Sequence, residues 1–259
     1  MGGDDRSDLR GKRVLLTGAS RGLGQSCAEA FAREGAMLLL TARSRDQLER
    51  IASSLANADQ HHIYAGDLTK REEVKALIDA ASRLGEIEVI LHVMGGGLGM
   101  RDPLLTWDEF DTLFATNLAS AAAINRGIIP SMVERQTGNV VHVGSIASTE
   151  AVGSVGYNVA KAGLAAYIRT LGRTLAHTGV VVTGILPGGF VAPENSMERF
   201  KARDPERYEQ IMAERQPRKK MGVPDEIMPL LMFLASRQAT MMTGCCVPID
   251  GGEGLTYAN

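Results

Sequence analysis

Short apolar runs alternate with amphipathic stretches along nearly the whole chain, and this rhythm restricts the fold more than any other feature. Val14-Leu15-Leu16 and Met37-Leu38-Leu39-Leu40 are apolar at every position, and weaker runs follow at 62–64, 88–93, 139–143, 180–186 and 247–249. A strand that is apolar throughout, instead of at every second position, needs cover on both faces. Helical spacing fills the gaps at 24–33, 46–55, 69–83, 106–135, 155–177 and 224–236. Strand and helix in strict alternation predict an α/β fold with a parallel sheet covered by helices on both faces. At 259 residues the chain can bury a full core as one domain without a metal or disulfide.

Composition narrows the function classes. Lys+Arg 28 against Asp+Glu 30 leaves a formal charge of −2, so broad attraction to nucleic acid or an anionic membrane is not expected. Of the three cysteines, Cys245 and Cys246 are adjacent and Cys27 has no matching partner, which predicts free thiols in a reducing compartment. No Cys/His spacing suits a metal, and His61-His62 is expected to be a surface pair. The opening Met-Gly-Gly-Asp-Asp-Arg lacks the apolar run of a secretion signal, and Arg6 stands where a myristoylation signal needs Ser or Thr. No stretch of about 18 apolar residues occurs. The expectation is a cytoplasmic protein with no membrane span and no metal.

Residues 193–222 break the rhythm, with Met197, Met212 and Met221 set among Glu, Arg and Lys. A strand-to-helix connection needs only about 2–6 residues. An insertion at the carboxyl end of a parallel strand lies over the ligand crevice, so a lid is expected there.

Thr17-Gly18-Ala19-Ser20-Arg21-Gly22-Leu23-Gly24 joins the first strand to the first helix. Glycines in this position let backbone N–H groups close on a pyrophosphate at the helix N-terminus. NAD-specific folds place a carboxylate on the adenosine ribose at the end of the second strand. Here that strand ends Thr41-Ala42-Arg43-Ser44-Arg45. Arg43 together with Arg21 suits a 2′-phosphate, which predicts NADP(H) over NAD(H). Asp67, ending the third strand, is expected either to meet the adenine amine or to cap a helix.

Tyr157 and Lys161 stand at i and i+4 on one helix, where side chains are neighbours. An ammonium beside a phenol stabilises the phenolate, predicting a lowered pKa and a group able to exchange a proton with a carbonyl or an alcohol. Ser145, after the fifth strand, is placed to hydrogen-bond the substrate oxygen.

The glycine-rich turn at 17–24, Asn117, Val143-Gly144-Ser145, Tyr157-x-x-x-Lys161, Pro187-Gly188 and Asp250-Gly251-Gly252 together resemble the short-chain dehydrogenase/reductase family, and within it the 3-oxoacyl reductases and NADP-dependent carbonyl reductases. The likeness implies a single Rossmann-like, doubly wound domain with a seven-stranded parallel sheet, and hydride transfer between nicotinamide and a ketone or secondary alcohol, in a homotetramer or dimer. It implies Tyr157 as acid/base, Lys161 as the group that lowers its pKa and binds the nicotinamide ribose, Ser145 as orienter, and Asn117 as holder of a relay water. The expected cofactor set is Thr17, Gly18, Ser20, Arg21, Gly22, Leu23, Gly24, Arg43, Asp67, Leu68, Gly95, Tyr157, Lys161, Pro187 and Gly188. An apolar substrate wall is expected from Met94, Phe190 and Met197.

Two departures from the family pattern stand out. His92-Val93-Met94-Gly95 replaces Asn-Asn-Ala-Gly, with His92 left to supply one hydrogen bond, and no hydroxyl follows Pro187-Gly188 before Pro193. The basic residues that acyl-carrier reductases carry near the cleft correspond to Gln136 and Thr178, with Arg135 and Arg218-Lys219-Lys220 as substitutes. A non-catalytic dinucleotide binder and a sugar epimerase or dehydratase are the alternative readings.

Overall fold

The structure, a computed structural model, describes residues 8–256; the opening Met-Gly-Gly-Asp-Asp-Arg lies outside them. Strands β1 (Arg13–Thr17), β2 (Met37–Ala42), β3 (His62–Ala65), β4 (Val89–His92), β5 (Gly138–Val143), β6 (Val180–Pro187) and β7 (Cys246–Ile249) form one sheet in the order β3-β2-β1-β4-β5-β6-β7. Every pairing is parallel. The parallel sheet read from the alternation, and the doubly wound, seven-stranded fold that the resemblance implied, are the fold observed.

Successive strand side chains point to opposite faces, and both faces are apolar. Val14, Leu16, Leu38 and Leu40 pack with Phe31 of α1 (Gly22–Arg33), Leu48 of α2 (Arg45–Ser54) and Leu231 of α9 (Pro224–Leu234). Leu15, Leu39, Ile90 and Val140 face the other way, onto Leu77 of α3 (Arg71–Leu84), Ile124 of α5 (Ser120–Glu134) and Ile168 of α6 (Val155–Leu175). Strand order reverses at β1, which pairs with β2 on one side and β4 on the other. The two connections leave in opposite directions there and open a crevice at the carboxyl ends of the strands.

The expected helix at 106–135 is broken in its middle. After α4 (Trp107–Phe114), entered through a reciprocal Thr106–Glu109 cap, residues Ala115–Ala119 form a π-helical turn before α5 begins. Such turns interrupt α-helices mostly where a side chain has a task. Residues 193–222 hold two helices, α7 (Ser196–Arg203) and α8 (Pro205–Arg215), capped by Asn195 and Asp204. They have an apolar cluster of their own: Tyr208, Met212 and Met221 are buried, with Val191, Met197, Phe200 and Ile211 against them.

The His61 ring bridges the Leu38 N–H, 3.2 Å from Nδ1, and the Ala56 carbonyl, 2.8 Å from Nε2, while His62 is exposed. Among the described residues no helix is long and apolar enough to cross a membrane, and no group of three His, Cys, Asp or Glu side chains is placed to hold a metal ion.

Candidate active site

The glycine-rich turn sits at the point where strand order reverses. Thr17 is buried, and its Oγ1 accepts from the N–H groups of Val93 and Met94, both at 3.2 Å, stitching the end of β1 to the end of β4. Gly18 has φ +72°, and a Cβ there would come within 2.9 Å of the Met94 backbone; a Cβ on Gly24 would lie 2.0 Å from the Gly18 carbonyl oxygen. Only glycine closes this turn. The helix it opens, α1, has no side chain capping its N-terminus. Free N–H groups and the positive end of a helix dipole suit a diphosphate, so the residues present fit a dinucleotide. The Gly22 N–H donates to the Pro193 carbonyl at 2.7 Å, bringing the root of the 193–222 segment onto the turn.

Arg21 and Arg43 are both exposed, and neither forms an ion pair among the described residues. Arg45 is turned aside onto Glu49 at 3.6 Å. Asp67 accepts from the Thr69 hydroxyl at 2.8 Å and its N–H at 3.2 Å. Chiefly that hydroxyl, then the Thr69 N–H and the charges of Arg43 and Lys70, hold its carboxyl below the usual range against a partial burial that raises it. Asp67 shapes the β3–α3 turn and does not cap α3, whose N-cap is Lys70. Leu68 and Leu23 are buried beside these turns, and Ser20 is half-buried.

Ser145 leaves the carboxyl end of β5, and α6 presents Tyr157 and Lys161 toward it. Lys161 is 3 % exposed, and its ammonium donates to the Val143 carbonyl at 3.0 Å and lies 5.7 Å from the centre of the Tyr157 ring. Burial pushes the Tyr157 phenol up, and a hydrogen bond with Ser145 partly opposes this. Burial also draws Lys161 down to about 8. The i, i+4 spacing predicts a phenol lowered by its amine, and the structure gives a different balance. The amine lies beside the ring, fastened to a backbone carbonyl, and desolvation governs both groups. Near neutral pH Tyr157 therefore keeps its proton, as an acid must.

Asn117 occupies the π-helical turn. Its Oδ1 accepts from the Gly96 N–H at 2.9 Å, and its Nδ2 donates to the carbonyls of Gly96 at 3.0 Å and Leu113 at 2.9 Å. The amide thus grips the loop after β4, where the resemblance implied a relay water. That loop runs against Tyr157 and Lys161: a Cβ on Gly95 would lie 2.9 Å from Asn117 Oδ1 and 3.0 Å from Lys161 Nζ, and one on Gly97 3.6 Å from Tyr157 Cβ. Gly95→Ala is expected to displace the ammonium and lower kcat by about a hundredfold, the cost of roughly 1 Å of misplacement. Steady-state kinetics beside an unchanged circular dichroism spectrum checks this.

Comparison with known proteins agrees with this geometry. The family model described as enoyl-(acyl carrier protein) reductase matches residues 18–253. The chain belongs to the short-chain dehydrogenase/reductase family. As a member it is an oxidoreductase. It is 31% identical over 250 residues to the 3-oxoacyl-(acyl-carrier-protein) reductase of Pseudomonas aeruginosa, covering 94% of this chain and 98% of that one. It is 30% identical over 252 residues to the glucose 1-dehydrogenase of Gluconobacter oxydans, covering 95% and 92%. Among solved structures, the L-sorbose reductase of Gluconobacter frateurii complexed with NADPH and L-sorbose matches with a TM-score of 0.87 at 26% identity, over 96% of this chain and 98% of that one. The 3-oxoacyl (acyl-carrier-protein) reductase of Agrobacterium tumefaciens with NADP bound matches with a TM-score of 0.86 at 26% identity, over 94% and 95%.

Within this short-chain dehydrogenase/reductase, His92 belongs to a buried polar cluster. Its Nε2 meets Asn125 Oδ1 at 2.9 Å, Asn125 Nδ2 donates to the Tyr167 hydroxyl at 3.1 Å, and the His92 and His142 rings stack 4.6 Å apart. Burial takes His92 down to about 4 and His142 further, so both rings stay neutral. Sequence reasoning missed Asn125, His142 and Tyr167 as this cluster; the polar Asn125 and His142 inside apolar runs were the available signal.

The residues expected to form an apolar wall separate. Met197 packs in the α7–α8 cluster, Met94 packs on the α3–α5–α6 side of the sheet, and Phe190 packs toward the α1–α9 side. Phe190 also lines a cavity of about 330 Å³ with Gly188, Gln216, Arg218 and Asp250. Pro187 ends β6, and the Gly188 N–H donates to the Ile249 carbonyl at 3.3 Å.

The basic substitutes are engaged elsewhere. Arg135 reaches Glu86 at 3.3 Å and donates to the Ile87 carbonyl at 2.9 Å, while Arg218 and Lys220 converge on Glu226. Gln136 and Thr178 precede β5 and β6, at the amino ends of these strands, whereas Ser145 follows the carboxyl end of β5.

Keeping Lys161 charged in the interior carries a cost. With its pKa at about 8 against an ordinary 10.5, the charged amine costs about 3 kcal/mol of stability, fully present below pH 8. From pH 8 to 10.5 the unfolded chain holds the proton that the folded chain has released, so the Lys161 contribution to stability rises with pH over that window. The thiols of Cys27 and Cys246, pushed up by desolvation, act the other way there, so urea unfolding at the two ends of the window should show a change more positive in the wild type than in Lys161→Met.

Proposed function

We propose that this chain is an NADP(H)-dependent reductase of ketone carbonyls, running the reverse oxidation of secondary alcohols on the same site. One observation carries the reading: a phenol kept protonated by burial, hydrogen-bonded to Ser145, with the Lys161 ammonium fixed beneath its ring. A bound nicotinamide supplies or accepts the hydride. Ser145 and Tyr157 together grip the carbonyl oxygen, and Tyr157 delivers its proton as negative charge develops there. Lys161, half-charged near pH 8, stabilises the phenolate left behind and is itself able to pass on a proton. Arg21 and Arg43 bind the 2′-phosphate and select NADPH. The 193–222 segment is the lid of a single domain, with Phe190 at its root in the substrate cleft.

The test is NADPH oxidation followed by absorbance over a panel of acyl thioesters, keto sugars and simple diketones. Turnover of one class supports the reading and names the substrate. A protein that binds NADPH yet turns over none of them is a binder. Net-neutral conversion of a sugar with retained nucleotide identifies an epimerase or dehydratase.

A further inference from the structure

Among the described residues, Glu253 holds a buried carboxylate outside the proposed catalytic set. The Glu253 side chain is 7% exposed. Its Oε2 accepts from the Gly189 N–H at 2.5 Å and from Gln216 Nε2 at 2.6 Å, and its Oε1 accepts from Arg215 Nη2 at 3.0 Å. Gly189 belongs to the loop after β6, whereas Arg215 ends α8 and Gln216 follows it. A buried carboxylate costs several kcal/mol unless it is paired and bonded, and this one is satisfied by donors from two separate elements.

The segment carrying Glu253 is itself fixed. Asp250 accepts from the N–H groups of Gly252 and Gly254, each at 2.9 Å, shaping the turn on both sides of Glu253. Beyond it, the Leu255 and Thr256 N–H groups donate to Glu150 Oε1 at 2.7 and 3.2 Å. Glu150 follows the short 3-10 turn at Ile146–Ser148 that Ser145 opens. Residues 250–256 therefore strap the far end of the 193–222 segment to the loop after β6 and to the Ser145 loop. The near end is held separately, by the Pro193 carbonyl on Gly22.

We propose that Glu253 is a positioning residue, the latch that holds α7 and α8 over the substrate side of the cleft; the assignment rests on the reductase reading above. It touches no reacting atom and acts through Gly189, Arg215 and Gln216. Its loss frees the end of α8 from the loop after β6, leaving the backbone bonds of Gly222 with Gly189 and Val191, while the dinucleotide turn, anchored at Pro193, keeps its shape. Glu253→Gln retains an acceptor for the Gly189 N–H and loses the ion pair with Arg215, whereas Glu253→Ala loses every bond.

The experiment compares both variants with the wild type, all saturated with NADPH. It reads NADPH affinity by fluorescence, kcat and KM for the best panel substrate, and the rate of tryptic cleavage within 199–215. For Glu253→Ala the expected results are a KM raised about tenfold, the equivalent of one charge-assisted hydrogen bond, and tryptic cleavage faster by about the same factor. NADPH affinity and kcat stay near wild type, and Glu253→Gln falls between the two proteins. Unchanged KM and unchanged cleavage would overturn the latch. So would a parallel loss of NADPH affinity, kcat and melting temperature, which marks a general structural role. If the wild type reduces no carbonyl, the reductase reading fails, and the cleavage rates still decide whether Glu253 holds the segment closed.

Discussion

Tyr157→Phe is expected to lower kcat by about a thousandfold, near the middle of what a positioned general acid contributes. The hydroxyl is the only atom removed, and the ring beside Lys161 remains. Binding of NADPH, measured by fluorescence titration, should therefore stay within about twofold, since no charge-assisted bond to the nucleotide is lost. The fold should lose little, because the one bond given up is the neutral hydrogen bond with Ser145. A Phe variant within tenfold of wild-type turnover would remove Tyr157 from the acid role. Collapse of both turnover and nucleotide binding would show that the hydroxyl holds the nucleotide as well as, or instead of, supplying a proton.

The second large effect concerns the choice of nucleotide. The double variant Arg21→Ala, Arg43→Ala should weaken NADPH binding by about a hundredfold and leave NADH binding within about twofold. That is about 1.4 kcal/mol from each guanidinium, at the low end for hydrogen bonds to charged groups because both side chains are exposed to solvent. Salt should narrow the gap for the wild type and not for the variant, since screening acts on the phosphate contacts alone. Each single variant should show roughly half of the effect in free-energy terms. Isothermal titration with both nucleotides at two ionic strengths measures it, and equal losses for NADPH and NADH would refute a phosphate-reading role.

Why these residues were visible in advance, and others were not, follows from where their information lies. The sheet was legible because runs such as 37–40 are apolar on both faces, a pattern only a covered parallel strand needs. Tyr157 and Lys161 share one helix, so their meeting follows from helical geometry. The balance of their pKa values did not, because it is set by burial under a loop that arrives from β4. The π-helical turn at Asn117 has no local signature; it makes sense only once Gly96 is seen to need both ends of that amide. His92, Asn125, His142 and Tyr167 come from four elements and meet only in the folded chain. The same holds for Glu253, whose partners lie 37, 38 and 64 residues away. Its neighbours Asp250-Gly251-Gly252 were legible as a motif, while the carboxylate one position on carried no sign of its burial.

The most direct measurement is the fate of a labelled hydride. NADPH deuterated at the transferred position of its nicotinamide is supplied with the best ketone of the panel, and the product alcohol is read by mass spectrometry and NMR. Carbonyl reduction in this site predicts one deuterium on the new carbinol carbon, on a single face, with formation of that product nearly abolished in Tyr157→Phe. Product without deuterium, label on both faces, or an undiminished yield from the Phe variant would contradict it.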